Sequence, residues 1–70
     1  MKREHTVIIE RDEDGYLIGR VPDVRGCFTQ GKDLQELMAN IREVLELCLE
    51  ELGDEAEEPL EFVGIQRIAV

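Results

Sequence analysis

One stretch limits the possible folds more than any other. From Leu34 to Leu52 the residues Leu34, Leu37, Met38, Ile41, Val44, Leu45, Cys48, Leu49 and Leu52 recur at helical spacing. At ~100° per residue they fall within an arc of roughly 140°, which predicts one long helix with an apolar face laid on another layer. Gln35, Arg42, Glu43, Glu46 and Glu50 take the opposite side, and Leu47 falls beside that polar face. Asp33 stands where an N-cap belongs, with Glu36 three positions on as in a capping box. The chain has 70 residues. A domain of that size buries only roughly 60% of its unfolded surface, and its core supplies about 3–5 kcal/mol. What precedes and follows the helix must therefore be the sheet it covers.

The strand patterns are short. Thr6 to Arg11 centres on Val7, Ile8 and Ile9, a β-branched run that fits a strand covered on both faces, as in the centre of a sheet. Asp12-Glu13-Asp14-Gly15 reads as a hairpin turn. Tyr16 to Val21 resumes as a strand with Tyr16, Ile18 and Arg20 on one side and Leu17, Gly19 and Val21 on the other. Pro22 ends it, since proline cannot donate to a ladder. A third strand is expected at about Cys27 to Gln30, with Cys27 or Phe28 filling the core and Gly26 and Gly31 supplying turns. After the helix, Gly53 reads as its C′ residue and Asp54 to Pro59 as an acidic connection. Leu60 to Val70 returns as a last strand, with Gly64 marking a bulge or a close approach.

The expected fold is therefore α+β in the order β-β-β-α-β: an antiparallel sheet with one long helix on one face, in a single domain over residues 1–70. One sheet face is left without a cover, which predicts association, as a dimer or tetramer or with another chain.

Most chemistry is excluded by missing parts. The chain has no serine, a single histidine (His5) and two cysteines, Cys27 and Cys48, so Cys and His alone cannot assemble a structural zinc site. The glycines form no phosphate loop. Asp12, Glu13 and Asp14 share one exposed turn, whereas a metal-dependent nuclease draws its carboxylates from several strands. No catalytic, cofactor or metal site is expected. No signal-peptide pattern precedes the thiols, so both read as reduced, buried groups of a cytoplasmic protein, and no apolar run approaches the ~18 residues of a membrane span. The net charge of −9 speaks against direct nucleic-acid binding and favours a basic partner.

Asp14-Gly15-Tyr16, Val21-Pro22, Gly26-Cys27-Phe28-Thr29-Gln30-Gly31 and Asn40-Ile41-Arg42-Glu43 together carry a family pattern. In order and spacing they resemble the HicB-like antitoxins of type II toxin–antitoxin systems, over nearly the whole chain. That resemblance implies a partial RNase H-like fold. It also implies a partner: a small basic HicA-type toxin that cleaves messenger RNA and whose active site the antitoxin covers. Two departures stand out. The chain ends at Val70, straight after its last expected strand, so the DNA-binding domain found in many members is not expected here. Leu34-Gln35-Glu36-Leu37-Met38 is also bulkier than the corresponding turn of the family pattern. Candidate partner-binding residues are Asp12, Asp14, Tyr16, Arg25, Thr29, Gln30 and Leu47. Two other readings stay open: a self-associating domain with no toxin, and a minimal Mg²⁺-dependent nuclease.

Overall fold

The computed structural model describes residues 4–52 and 61–70. Three strands, β1 (Ile8–Arg11), β2 (Leu17–Arg20) and β3 (Phe28–Gly31), precede one helix, α1 (Leu34–Leu52). The strands form an antiparallel sheet in the order β1-β2-β3, so the protein is α+β with the element order β-β-β-α. The readings of Gly53 as a C′ residue, of Asp54 to Pro59 as an acidic connection and of Leu60 as the start of the last strand lie outside the described residues.

The first hairpin closes as its composition dictates. The Asp12 amide donates to the Tyr16 carbonyl at 2.9 Å and the Gly15 amide to the Asp12 carbonyl at 3.1 Å. The Asp12 carboxylate Oδ1 accepts from the amides of Asp14 at 3.0 Å and Tyr16 at 2.9 Å. Gly15 sits at φ +90°, a conformation that costs a side-chain-bearing residue dearly.

The loop from Val21 to Cys27 folds into the core rather than merely bridging strands. Amides of Val21, Val24 and Cys27 bond to the carbonyls of Cys27, Val21 and Val24 at 2.9, 3.1 and 3.3 Å. All three side chains are buried, joined by Leu37 and Ile41 from α1. Phe28 does not fill the core, because strand alternation after the buried Cys27 turns it to the other face, where it is 66% exposed.

The helix begins on the expected cap. The Glu36 amide donates to the Asp33 carboxylate at 2.8 Å, and Glu36 returns its own carboxylate to the Lys32 amide. It packs over β3 and β2, and two glycines set how closely. A Cβ on Gly19 would meet the tips of Ile41 and Leu37 at 3.2 Å, and one on Gly31 would meet the backbone of Leu37 at 2.5 Å. The Asn40 side-chain amide adds a bond to the Gln30 carbonyl at 2.9 Å.

Three expectations change. β1 is an edge strand of the described sheet, not a central one, because it pairs with β2 alone. Leu34 and Met38 belong to the apolar arc of the helix yet are 54% and 41% exposed, since the helix does not reach over β1 and that flank has no sheet beneath it. Residues 61–70 form no strand within the chain, and all ten are exposed. The radius of gyration is 13.2 Å, against the ~11 Å of a compact chain this long.

Candidate partner-binding surface

The sheet face away from α1 is built by cross-strand rows. Ile8, Arg20 and Phe28 lie opposite one another, as do Glu10, Ile18 and Gln30. Directly opposed residues share a face, and this face is the one without Gly19 and Gly31, whose missing side chains make room for the helix. Tyr16, two residues before Ile18, continues it toward the first hairpin and is 37% exposed. The result is an apolar centre (Ile8, Ile18, Phe28 and Tyr16) interleaved with Glu10, Arg20 and Gln30. Asp12, Glu13 and Asp14 stand at one end of it, on the hairpin.

Of the seven residues singled out from sequence, the structure brings four to this region: Tyr16 and Gln30 on the face, Asp12 and Asp14 at its end. Asp12 has a structural task as well, since its carboxylate holds two backbone amides of the turn. Arg25 is exposed but belongs to the loop beyond the opposite end of β2. Thr29 lies opposite Gly19, on the helix side of the sheet, and is half-buried. Leu47 is 54% exposed on α1, in the other layer. Sequence reasoning missed Phe28 as a surface residue; the signal was there in the alternation Cys27-in, Phe28-out.

The loop end of the sheet carries a second feature that the sequence did not announce. His5 Nδ1 lies 3.4 Å from Asp23 Oδ2, with both side chains largely covered. No hydrogen bond forms across this contact: Nδ1 and the other carboxylate oxygen, Oδ1, are both buried without a partner among the described residues. The contact is an ion pair only when the imidazole is protonated, and it fastens the chain before β1 to the Val21–Cys27 loop. Among the described residues, no group of three or more His, Cys, Asp or Glu side chains is placed to hold a metal ion.

Both thiols are free, Cys27 buried and Cys48 half-buried. The Cys48 thiol points to the Gly26 carbonyl at 4.0 Å. Burial pushes the Cys27 thiol up from 9.0 to about 11, helped by the neighbouring Cys48 and by the negative charge of Asp23. At pH 8 its thiolate fraction is therefore about a hundredfold below that of an ordinary thiol. Alkylation followed by peptide mass spectrometry should show Cys27 reacting slower by at least that factor in the native protein than in urea. Equal rates would mean that the loop opens freely. Between pH 9.0 and about 11 the native thiol keeps a proton that the unfolded chain has lost, so stability falls as pH rises through that window.

With this geometry in hand, the relatives of the chain can be placed. The family model described as "HicB_like antitoxin of bacterial toxin-antitoxin system" matches residues 5–69. The chain belongs to the HicB-like antitoxin family. A UPF0150 protein of Synechocystis is 56% identical over 69 residues, covering 99% of this chain and 97% of the relative. A UPF0150 protein of Thermotoga maritima is 46% identical, covering 100% of this chain and 93% of its own length. One of Archaeoglobus fulgidus is 45% identical over 91% of this chain and 90% of the relative. At such coverage these HicB-like proteins correspond to this chain almost end to end. No helix among its described residues is long and apolar enough to cross a membrane.

Proposed function

We propose that this protein is an antitoxin without catalytic activity of its own, acting in the cytoplasm, which neutralises a small basic HicA-type ribonuclease by lying over its active site. The observation that carries the reading is the family match over residues 5–69. The sheet face supports it: Tyr16, Ile18 and Phe28 offer apolar contact, and Asp12 to Asp14 offer negative charge at its end. With a net charge of −9 the whole molecule attracts a basic protein, which raises the rate of encounter and makes it sensitive to salt. The partial RNase H-like arrangement and the single-domain organisation belong to the same proposal.

The test is capture from lysate of the source organism at low salt and again at about 0.5 M salt, where the Debye length is only a few ångströms. A small basic protein retained at low salt and released as the charges are screened supports the reading and identifies the toxin. If that protein is found, replacing Glu13 and Asp14 by Lys should slow association about tenfold while leaving dissociation nearly unchanged. Asp12 is left in place because the turn needs it. Association at the wild-type rate would remove the hairpin from the encounter.

A second reading, a self-associating domain with no toxin, is favoured by the exposed Val63, Ile65, Ile68 and Val70. For it, the captured material contains the bait alone at both salt concentrations. The nuclease reading would require RNA breakdown that depends on Mg²⁺ and disappears on replacing Asp12 and Asp14.

A further inference from the structure

Two uncovered parts of this chain have complementary needs. The first is the outer edge of β1. Among the described residues β1 pairs with β2 on one side only, and the helix lies over β2 and β3, not over β1. Ile9, opposite Gly19 and so on the helix side of the sheet, is left 42% exposed. Asn40 ties one flank of the helix to β3. At ~100° per residue, Leu34 and Met38 lie roughly 120–160° around the helix from Asn40, on the flank toward β1. They are 54% and 41% exposed. Ile9, Leu34 and Met38 thus border an apolar shelf running beside a row of unpaired backbone groups.

The second part is the segment 61–70, Glu-Phe-Val-Gly-Ile-Gln-Arg-Ile-Ala-Val. It has the composition of a strand covered on both faces: Val63, Ile65 and Ala69 would alternate to one side, Phe62, Ile68 and Val70 to the other. None of it pairs with another described residue, and Val63, Ile65, Ile68 and Val70 are 90%, 68%, 88% and 119% exposed.

We propose that residues 61–70 of one copy add as a strand to the free edge of β1 in a second copy, reciprocally, making a strand-exchanged homodimer. The exchange would satisfy the open edge by main-chain pairing, the mode of any strand added to a sheet. It also covers Ile9, Leu34 and Met38 and makes β1 the interior strand that its Val7-Ile8-Ile9 run suits. Each copy then contributes the ten residues of its donor segment, the four of its β1, and Leu34 and Met38, somewhat fewer than the roughly 20–30 residues a side of a standard stable interface. The exchange leaves the face with Tyr16, Ile18 and Phe28 free, so it stands independently of the antitoxin reading. It also responds to salt in the opposite sense: two copies of charge −9 repel, so screening tightens the dimer.

The test is light scattering on the full chain with two double variants. Ile65→Lys/Ile68→Lys damages the donor segment; Ile9→Lys/Met38→Lys damages the acceptor. The wild type should run at twice the 8.0 kDa of the chain. Each variant alone should run as a monomer, its dimer weakened on the order of a hundredfold by buried unpaired charge. Mixed, the two should recover a dimer, because one intact donor then meets one intact acceptor, a result that misfolded variants cannot produce. A wild-type monomer overturns the proposal, whether the segment folds back on its own β1 or serves another protein. So does a dimer indifferent to both variants, or a mixture that stays monomeric.

Discussion

Gly31→Ala should bring the chain to the edge of unfolding under conditions in which the wild type is native. A Cβ at Gly31 would stand 2.5 Å from the backbone nitrogen of Leu37, 2.8 Å from its Cα and 3.1 Å from the Glu36 carbonyl carbon. These are main-chain atoms of the first turn of α1, and the turn cannot give way without surrendering its cap. Glu36 and Asp33 are both committed there, through the Glu36 amide and the Lys32 amide. Relief must come from moving the helix off β3. That lifts Leu37, which is fully buried, out of the core it shares with Val21, Val24, Cys27 and Ile41. Overpacking of this kind costs about 3 kcal/mol where nothing flexible can yield. A core of this size supplies only about 3–5 kcal/mol in all. Gly19→Ala is the control. Its Cβ would meet only the tips of Ile41 and Leu37, at 3.2 Å, which can rotate or shift, so about 1 kcal/mol is expected. Far-UV circular dichroism and urea titration decide between them. Near-equal stabilities would mean that α1 rides more loosely on β3 than Gly31 implies.

The contrast between those glycines also shows what the sequence could and could not reveal. The helix was legible to its ends because its signals are local: an acidic cap at Asp33 and a periodic apolar face. The hairpin was legible for the same reason, since Asp12 and Gly15 act within a few residues. The centres of the first three strands were found, but their edges slipped by a residue or two. Cys27 falls in the loop rather than in β3 because its amide turns back to Val24. What could not be read was which side each element lacks. The exposure of Leu34 and Met38 depends on where the helix crosses the sheet, and that is fixed by Gly19, Gly31 and Asn40 acting across elements. β1 has the composition of an interior strand, but composition does not say whether a second neighbour lies within the chain, and among the described residues none does. At the surface, choosing residues one by one for their expected exposure scattered the candidates over the sheet, a loop and the helix. The cross-strand register gathered Tyr16 and Gln30, added Phe28, and turned Thr29 toward the helix.

Phe28→Ala should separate partner binding from stability. The side chain is 66% exposed and outside the core cluster, so its removal should change the unfolding free energy by no more than about 0.5 kcal/mol. On the uncovered sheet face, however, Phe28 stands beside Arg20 and in line with Ile8, with Ile18 and Tyr16 continuing the apolar surface. An aromatic anchor at the centre of such a patch commonly accounts for about 2 kcal/mol of an interface, a loss of roughly thirtyfold in affinity. Because the side chain acts by contact and not by long-range charge, the loss should fall on dissociation, with association nearly unchanged. That is the reverse of the expectation for Lys at Glu13 and Asp14, and surface-plasmon kinetics on the captured toxin would distinguish the two. Leu47→Ala, on the exposed side of the helix, provides the comparison. If Leu47→Ala changes neither step and Phe28→Ala speeds release, the sheet face is the binding surface. If the effects are exchanged, the toxin sits on the helix, and the open sheet face must be covered by something else.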